Sequence, residues 1–179
     1  MTKIIESIRS EFLRYKGLGE SAINQIDEAA LSVDGPGGGS SIAVICWHIS
    51  GNLQSRFRDF LTSDGEKPWR DREEEFRPRV VTRTELLSKW GQGWDALLGA
   101  LANLTDEQLG RTVTIRGLPL RLDEALHRSL AHLSYHVGQI VYLAKSSRGT
   151  AWTSLSIPPG QSKTYNQAPT RERVTHDDH

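Results

Sequence analysis

Apolar residues recur at steps of three and four in four separate long segments of this sequence, which commits the chain to amphipathic helices that must each bury one face. In residues 2–27 the stripe is Ile5, Ile8, Phe12, Tyr15, Ala22, Ile23 and Ile26, kept across Gly17 and Gly19, which weaken the middle. Residues 41–61 carry Ile42, Ile45, Ile49, Leu53, Phe57 and Phe60. Thr82-Arg83-Thr84-Glu85 is a capping box opening a third stripe of Leu87, Trp90, Trp94, Leu97, Leu101 and Leu104. Gly91 and Gly93 flank its tryptophans and permit close approach of another helix. The last segment, residues 122–145, repeats Ala125, Ser129, His132, His136, Ile140 and Leu143 and is closed by Lys145-Ser146-Ser147-Arg148-Gly149. Four such helices predict an all-α fold, a four-helix bundle.

The segments between them are informative in different degrees. Asp34-Gly35-Pro36-Gly37-Gly38-Gly39-Ser40 is a breaker whose serines suit a helix cap. Residues 62–81 form a long charged connection with Trp69 and Phe76, aromatics that favour an ordered loop, either lidding the bundle mouth or covering the helix ends. Thr112-Val113-Thr114-Ile115 and Leu118-Pro119-Leu120 flank Arg116-Gly117 and read as a short β-hairpin before the last helix, with Pro119 limiting its ladder.

With 179 residues the sequence suits one domain, residues 1–162, followed by a polar tail, 163–179, expected to be disordered. Lys and Arg number 22, as do Asp and Glu, and the zero net charge calls for neither nucleic acid nor an anionic membrane surface. No apolar run approaches the length of a membrane span, and the amphipathic N-terminus does not read as a signal peptide, so the cytoplasm is the expected location. The one cysteine, Cys46, has no partner for an internal disulfide, and nothing in the sequence marks it as a nucleophile.

Two histidines four apart on a helix, His132 and His136, differ by about 40° in direction and about 6 Å in height, so both rings can reach one point. Their place in the stripe turns them inward. An inward imidazole needs a partner, and either a buried hydrogen bond or a metal supplies one. The Glu of the H-E-x-x-H metalloprotease motif is Leu133 here, so that mechanism lacks its base. His127 lies about 140° away around the helix, and His176 and His179 fall in the tail beside Asp177 and Asp178; these three are excluded. His48, at the edge of the second stripe, remains as the third candidate ligand. Asn52 and Arg56 follow it down the same side, a row that reads equally as a pocket lining or as an ordinary boundary face. Three imidazoles match a catalytic zinc site, where the remaining coordination positions go to water or substrate.

The chain resembles the DinB/YfiT-like superfamily of metalloenzymes, within it a branch of unassigned function. The stretches that carry the resemblance are Phe12-Leu13-Arg14-Tyr15-Lys16, His48-Ile49-Ser50-Gly51-Asn52-Leu53, Asp64-Gly65-Glu66-Lys67-Pro68-Trp69-Arg70-Asp71, Gly110-Arg111-Thr112-Val113-Thr114-Ile115-Arg116-Gly117 and His132 through Lys145, over roughly residues 5–162. The resemblance implies an up-down-down-up bundle, a divalent metal on His48, His132 and His136, and a homodimer. The superfamily includes thiol-dependent S-transferases and a thiol-dependent isomerase, so the expected function is a metal-dependent enzyme, a thiol-dependent S-transferase or hydrolase, acting on a small molecule, with a low-molecular-weight thiol as cosubstrate. Zinc is the first choice of metal and nickel the second. Asn52 and Arg56 are the candidates to orient the substrate. The alternatives are a metal-binding or stress-response protein without turnover, and a structural dimer with hydrogen-bonded histidines.

Overall fold

The computed structural model describes residues 3–170. The fold is mostly helical: α1 (Ile4–Ile23), α2 (Ile42–Phe57), α3 (Arg72–Glu75), α4 (Arg83–Ala102), a hairpin of β1 (Thr112–Ile115) and β2 (Leu118–Arg121), α5 (Leu122–Arg148) and α6 (Ser162–Tyr165). Each of the four expected long helices forms. α2 ends at Phe57, short of the expected 61, because Arg58 is extended and Asp59 is left-handed at φ 51°. The expected tail begins with the single turn of α6, and its residues 171–179, with His176 and His179, lie outside the described residues.

Local chemistry accounts for the helix starts. Ser41 Oγ accepts from the Val44 N–H at the head of α2, and the Thr82–Glu85 capping box opens α4 as its sequence predicts. α1 lacks a cap of its own; the Asp106 carboxylate, from the turn after α4, accepts from the N–H groups of Ile4 and Ile5 at 2.9 and 3.0 Å.

The long helices form a closed ring of neighbours, α1 against α5, α5 against α2, α2 against α4, and α4 against α1. Phe12, Ile23, Ile49, Leu53, Trp90, Trp94, Leu97 and Leu133 fill the centre with almost no exposure. Two glycines are needed there. A Cβ on Gly93 would stand 2.7 Å from the Ser50 Cα, so α4 meets α2 backbone to backbone at that point, and a Cβ on Gly19 would strike the Trp90 ring. Gly91 has open space in place of a neighbour. α5 buries Leu122, Ala125, Leu126, Leu133, Val137, Ile140 and Ala144; Ala125 and Ile140 are buried as expected, but Leu133 and Val137 take the central places, and His132 and His136 stand at the border of the stripe, half-buried. Leu86 likewise replaces Leu87 as the buried residue of α4.

The hairpin pairs Thr112 with Arg121 and Thr114 with Pro119. Its two-residue turn has Arg116 at φ 55° and Gly117 at φ 72°, the left-handed pair that two-residue hairpins favour. Asp64, from the long connection, accepts from the Arg116 and Gly117 N–H groups at 2.8 and 2.7 Å and so ties the connection to the hairpin. The Glu66 N–H, 2.7 Å away, and then those of Gly117 and Arg116 hold its carboxyl down at about 2. Among the described residues no helix is long and apolar enough to cross a membrane.

Candidate metal centre

His48 projects from the middle of α2 and is 5% exposed; His132 and His136 project from neighbouring turns of α5. Contact between the two helices brings the Nε2 atoms together, 3.3 Å from His48 to His132 and 3.2 Å from His132 to His136. Metal–nitrogen bonds of about 2.0–2.1 Å in a tetrahedron set neighbouring ligand atoms about 3.3–3.4 Å apart, against about 2.8–3.0 Å at right-angled positions. The three residues lie close enough to hold one metal ion.

The outer nitrogens show which form the rings take. His48 Nδ1 donates to Glu75 Oε2 at 2.9 Å, and His136 Nδ1 donates to Gln139 Oε1 at 2.7 Å. In neutral rings both bonds place the proton on Nδ1 and leave the Nε2 lone pair facing the common point. Gln139 is oriented in turn by donating from Nε2 to the Tyr135 hydroxyl at 3.3 Å. His132 Nδ1 is buried and has no hydrogen-bond partner among the described residues. Burial first, and then the neighbouring His136 and His48, hold the His132 ring down at about 4, and burial also lowers His136. Neutral rings are the ligating form.

Glu75 reaches His48 from α3, inside the long connection, and Arg70 grips it with two bonds of 2.8 and 2.9 Å. Burial alone would raise the Glu75 carboxyl; the bonds from Arg70 and His48 outweigh it and keep the group ionised. Gly51 makes the arrangement possible, since a Cβ there would lie 2.0 Å from Glu75 Oε1. On the other side of the histidines opens a cavity of about 580 Å³, lined by His48 and His136 together with Ile45, Phe76, Tyr135, Gln139, Tyr142, Leu143 and the 35–40 loop.

Residues 1–161 match the sequence model of the family described as Protein of unknown function (DUF1572). The chain belongs to this family. No curated protein matches it.

In this DUF1572 chain the three histidines expected as ligands come together, while His127, which helical spacing excludes, is exposed on α5. Asn52 and Arg56 are not among the residues lining the cavity. Arg56 donates to the Gly65 carbonyl and pairs with Glu66, as does Arg116, and this anchors the start of the connection. Cys46 is fully buried on α2, and burial pushes its thiol up, so the reactive thiolate is suppressed. Sequence reasoning marked Phe76 as an aromatic of an ordered connection but missed Glu75, Arg70, Gln139 and Tyr135. Gln139 had a signal, since it lies three residues after His136 on the same helix. Glu75 had none, because Glu73 and Glu74 precede it identically and only the fold of the connection selects one of the three.

Proposed function

We propose that the chain is a divalent-metal-dependent enzyme of the DinB/YfiT-like kind, a four-helix bundle working as a homodimer, that carries out thiol-dependent S-transfer or hydrolysis on a small molecule. The observation that carries the proposal is the convergence of three Nε2 atoms, 3.2–3.3 Å apart where they neighbour His132, on one side of which a cavity opens. A structural site is usually closed by four protein ligands; three ligands beside a cavity suit chemistry. The ring of helix neighbours supports the bundle, and an all-imidazole ligand set suits zinc first, as the more available metal, and nickel second.

When bound, the cation supplies Lewis acidity, which lets a water or a thiol give up its proton near neutral pH. The chain's residues do the rest. Glu75, held by Arg70, fixes the ring of His48, and Gln139 fixes that of His136, so these two ligands are oriented in advance. Phe76 lies against the His48 ring with centroids 4.7 Å apart and shields that face from water.

The test is turnover of a panel of low-molecular-weight thiols with alkylating and acyl electrophiles, measured on zinc-loaded and metal-free protein. Zinc-dependent turnover that disappears in His136→Ala is expected. Binding of zinc without turnover across the panel would favour the metal-binding protein that does no chemistry.

A further inference from the structure

Five cation–π pairs stand among the described residues, and their cations fall into two kinds. Arg14, over Tyr15, also pairs with Glu11, and Arg72, over Phe76, also pairs with Glu73. Arg58, over Trp69, and Arg79 and Lys89, both over Trp47, have no carboxylate within ion-pair distance among the described residues. These three cations lie together, since Arg79 and Lys89 share one ring and Lys89 feels the charge of both arginines. Trp47, Gln54 and Arg58 follow one another at steps of seven and four along one face of α2 and its end. Lys89 is set beside that helix by the Ser50 hydroxyl, which donates to its carbonyl at 2.6 Å, and the connection supplies Trp69 and Arg79.

The acids nearby are engaged elsewhere. Glu74 pairs with Arg77 at 2.8 Å, and Glu75 pairs with Arg70 and His48. Arg79 donates to the carbonyls of Glu74, Glu75 and Arg77 and keeps its Nη1 hydrogens; Arg58 donates to Gln54 Oε1 alone. The Lys89 ammonium has the Trp47 ring and no hydrogen-bond acceptor. Lys89 and Arg79 are also half-buried, so part of their water is gone. Burial first, and then Arg79, hold the Lys89 ammonium below its ordinary value. Partly desolvated charges of one sign are costly to keep together, and an anion seated among them relieves both the lost water and the repulsion.

We propose that Arg58, Arg79 and Lys89 form a binding site for a phosphoryl group, with Trp47 and Trp69 supporting the three cations. A phosphate ester carries about 1.5 to 2 negative charges at neutral pH and three acceptor oxygens, which suits three cations better than the single charge of a carboxylate. The guanidinium fork matches phosphate oxygens in pairs, and the ammonium adds a point charge. The net charge of the chain is zero, so this grouping rather than an overall field holds the anion. The site is distinct from the cavity beside the histidines, whose lining includes none of these five residues.

The experiment is calorimetric titration of inorganic pyrophosphate and of acetate, at low salt, into the metal-free native chain, Lys89→Gln and Arg58→Gln. Flotation with phosphatidylcholine vesicles, with and without phosphatidic acid, is run beside it. Arg79 is left in place because its bonds close α3, which carries Glu75. The Lys89 ammonium makes no hydrogen bond, so Lys89→Gln keeps the fold, which circular dichroism checks. We expect pyrophosphate to bind with a Kd below about 1 mM, acetate to bind about tenfold or more weakly, and each variant to weaken pyrophosphate about tenfold or more. Retention on phosphatidic acid vesicles that pyrophosphate reverses names a lipid headgroup as the source of the phosphoryl group, and pyrophosphate binding without retention names a soluble phosphate ester. No pyrophosphate binding below about 1 mM, acetate binding as tightly, or an affinity unchanged in both variants would overturn the proposal. A dimer that Lys89→Gln turns into a monomer would assign the three cations to carboxylates of a second copy, which also overturns it. Because the probes are read on metal-free protein and none of the three cations is a metal ligand, failure of the metal site leaves this result standing, and the reverse.

Discussion

A methyl group on Gly51 would stand 2.0 Å from Glu75 Oε1, inside the carboxylate that orients His48. Arg70 holds that carboxylate from the other side, so it cannot move without breaking its own ion pair. Gly51→Ala and Glu75→Gln are therefore both expected to lower metal affinity by about 10–100-fold while leaving all three ligands in place, checked by competition with a chromophoric chelator. Acid acts on the ligands themselves. His132 titrates at about 4 in the folded chain, against 6.5 for a free ring, because burial and then its histidine neighbours disfavour its charge. A depressed folded value means that the unfolded chain takes up the proton first. The metal-free protein should lose stability as pH falls from about 6.5 to about 4, with no further contribution from this ring below that, and thermal melts across the window in His132→Gln should be flatter. Residue identity made the ligands legible: His132 and His136 stand out by their spacing on one helix, and His48 as the histidine left on another core-forming helix. It could not make Glu75 legible, since a carboxylate acting through a neighbour's ring has no spacing signature.

At the scale of elements, two glycines two residues apart on α4 do opposite work. Gly93 lets α4 approach α2 until a Cβ would lie 2.7 Å from the Ser50 backbone, whereas Gly91 has nothing within 4 Å. Gly93→Ala should destabilise the fold by about 1–3 kcal/mol despite its better helix propensity, and Gly91→Ala should stabilise it by up to about 1 kcal/mol; chemical denaturation separates them. Sequence marked both glycines as places for close approach, and the structure uses one. The reason is rotational: residues two apart on a helix differ by about 200°, so one faces the neighbour and the other faces away. The same rotation explains the shifted stripe of α5. Apolar periodicity fixes a helix face to within a residue or so, and centring it on Leu133 and Val137 puts His132 and His136 at its border, where the cavity reaches His136. The connection 62–81 shows the limit most clearly. Its length and aromatics marked it as ordered, but that it supplies Glu75, Arg70 and Phe76 to the site depends on contacts with α2 and with the hairpin, which lie far away in sequence.

For the molecule as a whole, the four helices share a core running from Ile5 to Ala144, and the site is built at the border of that core by two helices, with His48 and His132 84 residues apart in sequence. The core cluster contains none of the three histidines, so each can be replaced singly and the fold checked beside the metal content. That makes a stoichiometry measurement decisive. The chain is loaded with zinc, desalted and analysed for metal per mole of protein, alongside His132→Ala and, as a control from the same helix, His127→Ala. About one zinc per chain is expected in the native protein and in His127→Ala, with almost none in His132→Ala while its helical circular dichroism is unchanged. A native protein that retains no zinc, or a His132→Ala variant that retains as much as the native chain, would contradict the assignment of the three histidines as a metal centre.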